Sequence, residues 1–245
     1  IYVDSESHYS VRDGAAMAGK PVVTFSHLDA EDLKKKISLS LKPSERPLVA
    51  CDGIFPVSGE ISPLPEYQKV LEKFEGAILC VDDAHAIGII GEKGRGSFEY
   101  FELKADRIYF SGTLSKAVGG HGGIIAGDKE FIEKLKEKSQ IPDASSAASS
   151  PVAAASAKAL EILERNPGLR KKLWENVAYA KKRFRALGFD IDDTPVPIIC
   201  LRAKKGVDLK AIQLELFERG IAVLYVARGG YSSVPEGGAI RIAIF

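Results

Sequence analysis

The chain has 245 residues, 34 Lys and Arg against 33 Asp and Glu, and 45% hydrophobic residues, a balance that excludes global disorder. Its formal net charge of +1 creates no long-range field toward nucleic acid or an anionic membrane, so neither is expected as a partner. A chain of this length buries roughly 70–75% of its unfolded surface, enough to hold a core without disulfides or a structural metal.

In chain order, apolar β-rich segments fall at 21–25, 47–51, 77–81, 107–110 and 123–126. A helix follows Asp29 and runs to about residue 37, and another spans 65–74 with Pro65 at its start, where a missing N–H costs nothing. This rhythm predicts an α/β fold with a mainly parallel sheet buried on both faces and ligands at the carboxyl ends of its strands. After residue 140 the run PDASSAASSPVAAASAKALEILER is rich in small residues and then helical, and 169–187 reads as a charged amphipathic helix. Pro151 before the alanine run favours a helix start over a flexible linker. Strands at 197–201, 221–226 and 239–245 with a helix at 209–219 then form a smaller α/β lobe. Two domains are expected, 1–166 and 167–245.

The chain begins with Ile1, its single methionine is Met17, and AIRIAIF still alternates when it reaches Phe245. A segment of a longer protein, cut at both ends, is the expectation. Cys51, Cys80 and Cys200 sit far apart in apolar runs and read as buried thiols with no metal or redox spacing. No apolar run approaches the ~20 residues of a membrane span, and Asp4 and Glu6 argue against a secretory signal, so a cytoplasmic protein is expected.

Two stretches carry chemistry. In ILCVDDAHAIGIIGEKGRG a buried strand ends on Asp82 and Asp83, with His85 next. In FSGTLSKAVGGHGG, Lys116 lies between Thr113 and Ser115 on one side and a run of glycines on the other, where backbone can approach a bulky group closely. Taken singly, Lys116 reads as a surface charge, Asp82 as a turn cap, and His8, His27 and His121 as helix-start or surface residues. Together, a strand-end carboxylate, a histidine, a lysine able to form a Schiff base and hydroxyls suited to phosphate match what pyridoxal 5'-phosphate requires. The glycines do not have dinucleotide or P-loop spacing.

VDDAHAIGIIGEKGRG, SGTLSKAVGGHGG, SESHYSVRDG and CDGIFPVSGEISPL resemble, in order, motifs of the α-oxoamine synthases, with His85 and Lys116 31 residues apart as in that family. The resemblance implies an aspartate aminotransferase-like, fold type I enzyme that condenses an amino acid with an acyl-CoA, with or without decarboxylation. It implies Lys116 as the cofactor lysine, Asp82 as partner of the pyridine nitrogen, His85 on the ring oxygen and His8 stacked on the ring. Thr113 would bind phosphate, Arg241 or its rival Arg228 the substrate carboxylate, and Ser146 the cofactor phosphate of a neighbouring subunit in a homodimer with shared active sites. Pro56 and the segment around Asp143 depart from the family pattern, which has a serine and an aromatic stretch there. An aminotransferase on the same fold and a non-catalytic partner subunit are the alternatives.

Overall fold

The computed structural model describes residues 1–103, 107–139, 145–229, 234 and 237–245. Asp143 lies outside them. The larger sheet contains β1 (Tyr2–Asp4), β2 (Val23–Phe25), β3 (Leu48–Asp52), β4 (Ile78–Asp82), β5 (Ile108–Thr113) and β6 (Gly123–Ala126), in the order β2-β1-β3-β4-β5-β6. β1 to β5 are parallel and β6 is antiparallel to β5. Parallel neighbours need crossovers, and these are supplied by α1 (Tyr9–Met17), α2 (Ala30–Ser40), α3 (Leu64–Leu71) and the short α4 (Ser97–Tyr100). The Asp29 carboxylate accepts from the N–H groups of Glu31 and Asp32 at the start of α2, the cap expected there.

The helices α2 and α3 close one face of the sheet. Leu33 and Ile37 of α2, and Leu64, Tyr67, Val70 and Leu71 of α3, pack with Val49, Cys51, Leu79 and Val81 into one core. Burial of the sheet on both faces is not met. On the opposite side, Leu48, Ala50 and Cys80 line a cavity of about 500 Å³ with residues of α1 and of α5 (Lys129–Lys138), because these two helices flank that face without filling it. Cys51 is accordingly buried, whereas Cys80 and Cys200 are half-buried, and none is in a disulfide.

Two long helices follow, α6 (Ser150–Arg165) and α7 (Pro167–Ala186), each with Pro in its first turn. The remaining chain forms β7 (Ile198–Arg202), α8 (Leu209–Glu218), β8 (Leu224–Val226) and β9 (Ala239–Ala243), whose sheet has the antiparallel order β7-β9-β8. β9 stops two residues short of the expected end. Ile244 N–H still reaches the Pro197 carbonyl, but Pro197 has no N–H to return, so the ladder closes at Ala243. Of the strand expected over 221–226, only Leu224–Val226 pairs. The edge-to-centre strand β1, with its three buried residues, and the charged helix α5 are absent from the sequence expectation.

Segment 53–62 joins the two sheets. Ile54 packs with Ala86, Ile90, Val196 and Ile198, while Val57 packs with Val226 and Ala239. The small sheet is thereby held at the carboxyl ends of the large-sheet strands.

Candidate active site

Three parallel strands end on carboxylates: β1 on Asp4, β3 on Asp52 and β4 on Asp82. Asp52 and Asp82 are register partners, so their side chains emerge side by side at the sheet edge. Asp82 accepts from the N–H of Ala84 at 3.0 Å, which turns the chain toward His85. Asp52 accepts from the backbone N–H of His8 at 2.9 Å. Burial pushes Asp52 up to about 7 against the pull of that N–H, and the Asp82 charge pushes the same way. Behind them Asp83 accepts from the hydroxyl of Ser97 at 2.6 Å and its N–H at 2.8 Å, and burial raises it to about 7. Gly53 is obligatory at this contact, since a Cβ there would lie 1.9 Å from Asp83 Oδ1.

The lysine loop is built by the β5–β6 hairpin. Thr113 at the end of β5 pairs with Gly123, and its Oγ1 lies 2.7 Å from Ser115 Oγ and donates to the Gly122 carbonyl at 3.1 Å. Leu114 N–H donates to Gly122 and Gly120 N–H to Leu114, closing a loop that carries Lys116. Gly120 is fixed by packing, because a Cβ there would stand 2.0 Å from Ser156 Oγ on α6.

His8, Asp52, Asp82, His85, Lys116 and Arg241 form one electrostatic group. Burial lowers the Lys116 amine, Asp82 opposes it, and Arg241 lowers it further. His85 falls to about 3 through burial and then through Lys116, Arg241 and His8, which keeps its ring neutral. His8 caps α1, its Nδ1 2.7 Å from Ser10 Oγ, and burial lowers it too, against the charge of Asp82. Arg241, in the central strand of the small sheet, donates from Nε to the Pro56 carbonyl at 2.6 Å. Its rival Arg228 is exposed on the turn after β8 and does not enter the electrostatics of Lys116 or His85. Ser146 is exposed on the chain before α6.

Asp52 and Asp4 have no counterpart in the sequence expectation, though the run LVACDG, an apolar strand ending on an acid, carries the same signal as ILCVDD. His27, expected at the surface, is instead mostly buried, with Nδ1 2.8 Å from Asp4 Oδ1. No short-range pattern places these two residues, 23 apart, in contact.

The aminotransferase class I and II model matches residues 1–244. The chain belongs to that family. It is 38% identical over 239 residues to 8-amino-7-oxononanoate synthase of Thermoanaerobacter pseudethanolicus, covering 96% of this chain and 59% of the relative. It is 37% identical over 200 residues to serine palmitoyltransferase of Sphingobacterium spiritivorum, covering 81% and 49%. Among solved structures, a serine palmitoyltransferase from S. paucimobilis with PLP and myriocin bound superposes with a TM-score of 0.89 at 27% identity, covering 99% of this chain and 61% of that one. Both named activities are those of α-oxoamine synthases, as the motifs suggested, and the fold is that of a type I PLP enzyme. The chain spans about three fifths of the length of the first curated relatives it matches. Among the described residues no helix is long and apolar enough to cross a membrane.

Proposed function

We propose that this chain carries most of the active site of a pyridoxal 5'-phosphate-dependent α-oxoamine synthase, which condenses an amino acid with an acyl-CoA. The observation that supports this best is the convergence of Lys116, His85, Asp82 and Arg241 at the carboxyl ends of the sheet, where Asp82 and Arg241 act on Lys116, and Lys116 and Arg241 act on His85.

The donor set fits the cofactor. Asp82, at the sheet edge, is suited to a protonated pyridine nitrogen, and the neutral His85 ring to the ring oxygen. Thr113, with Ser115 beside it, offers hydroxyls to phosphate, and His8 supplies a flat ring for stacking. When bound, pyridoxal 5'-phosphate supplies an electron sink for negative charge at the amino acid α-carbon. The chain contributes the rest. Lys116, its amine lowered by burial against the pull of Asp82 and further by Arg241, is the group that takes and returns a proton. Arg241, oriented through Nε by the Pro56 carbonyl, presents its guanidinium to the substrate carboxylate. Pro56, where the family pattern has a serine, offers Arg241 a backbone carbonyl that any residue there would supply. Ser146 at the cofactor phosphate of a second subunit, a homodimer with shared sites and a cytoplasmic setting complete the reading. The two curated relatives are condensing enzymes by name, which favours acyl transfer over transamination.

The test is the visible absorption of the full-length protein with pyridoxal 5'-phosphate, followed by borohydride reduction and peptide mapping. A band trapped on Lys116, with product formed from amino acid plus acyl-CoA and none from a 2-oxo acid, is the expected result. Folded protein without a band overturns the proposal.

A further inference from the structure

We infer that His27 is a positioning residue, which acts through Asp4 to set the turn that presents His8. The inference rests on the role given to His8 above and deepens it. β1 ends at Asp4 and α1 begins at Tyr9, so four residues must reverse the chain and aim His8 into the crevice. Carboxylates hold this turn at both ends. Asp4 Oδ1 accepts from Glu6 N–H at 2.9 Å and the Asp4 carbonyl from Ser7 N–H at 3.1 Å, while Asp52 accepts from His8 N–H at 2.9 Å.

Asp4 is fully buried, and a buried carboxylate demands a counter-charge. His27 supplies it with Nδ1 at 2.8 Å, and Leu28 N–H donates to the other oxygen at 2.9 Å. The rest of the imidazole is held in place. Its Nε2 lies 3.2 Å from Glu60 and 3.6 Å from Glu6, and the ring stands edge-on to Phe55 at 4.4 Å. Arg202 of β7 completes the cluster, 3.0 Å from Glu60 and 3.7 Å from Glu6. Glu6, His27 and Glu60 are also ligand types for a divalent cation, but the Arg202 guanidinium and the His27 imidazolium already lie against the two glutamates and offset much of their charge. The favourable ion pairs keep His27 charged at neutral pH.

Without this imidazolium, Asp4 must take up a proton or admit water. A protonated carboxyl has fewer acceptor positions for Glu6, Leu28 and Tyr67, so the 5–8 turn loosens and His8 moves.

Two readouts test this in the full-length protein. In histidine-labelled apoprotein, with the His8 signal assigned by His8→Gln, NMR gives the His8 titration midpoint. In His27→Leu it rises by about half a pH unit or more as burial of His8 is relaxed, and His27→Gln, which keeps a donor toward Asp4, shifts it less. In the loaded protein, the visible circular dichroism of the cofactor falls in His27→Leu to the level of His8→Ala, and the double variant falls no further. An unchanged His8 midpoint in folded His27→Leu overturns the inference, and if that variant does not fold, the same measurements on Asp4→Asn decide it. Wild-type protein without a cofactor band defeats the functional reading alone, since the apoprotein titration still judges the positioning.

Discussion

The charge cluster around His27 makes stability depend on pH in a calculable way. Burial opposes the imidazolium, but hydrogen bonds and charges from Asp4, Glu60 and Glu6 lift it from 6.5 to about 9. At ~1.4 kcal/mol per pH unit this difference is a stabilisation of ~3 kcal/mol. Because the folded value is raised, the contribution is complete below the unfolded value of 6.5 and is lost as pH rises through about 9. Between pH 7 and 9 the loss is ~2 kcal/mol. The depressed carboxyl of Glu60, at about 2, is the same ion pair seen from the other partner and is not added. Only 15% of the His27 side chain is exposed, so solvent screening removes little. Urea unfolding of the full-length protein and of His27→Gln, at several pH values from 6.5 to 9.5, isolates the effect, since other titrating groups cancel between the two. The wild type should lose ~3 kcal/mol more than the variant across that wider range. Parallel profiles would refute the reasoning and place His27 outside the stabilising network.

Arg241→Ala should raise the KM for the amino acid about 10- to 100-fold, the worth of a charged hydrogen-bonded contact, with Arg228→Ala within about two-fold; steady-state kinetics separate the two. Gly120→Ala drives a Cβ into Ser156 and should cost ~1–3 kcal/mol in thermal unfolding, part of which Ser156→Ala restores; equal stability of wild type and Gly120→Ala would show that α6 yields at no cost. Lys181, 1% exposed, is paired with Asp192 and donates to Thr194 at 2.9 Å. Asp192→Ala strands that ammonium and should destabilise by ~2–3 kcal/mol, discounted from the fully buried case because Asp192 is itself 38% exposed, whereas Lys181→Met should be nearly neutral in the same denaturation assay. Since His85 sits near 3, the pH profile of kcat/KM should show no limb from it between pH 5 and 8, and His85→Asn should leave the limbs in place.

Residue order alone determined the parallel α/β sheet, the strand-end acids and the lysine loop. Buried strands read as short apolar runs, caps as Asp29 or Pro151, and the lysine loop as Thr113 and glycines around Lys116, because each is decided by neighbours within a few positions. β1 escaped because three residues, Tyr2–Asp4, are too few to show a period, whereas α5, capped by Asp128 and carrying Phe131, Ile132 and Leu135 at helical spacing, did leave a local signal. Tertiary structure decided what depends on distant segments meeting. It set Asp4 beside His27, Asp52 beneath His8, and Arg241 against Pro56, the last because segment 53–62 docks the small sheet on the large one. Such pairings are fixed by packing and by the demand that a buried charge find a partner, and neither constraint leaves a local trace in the chain.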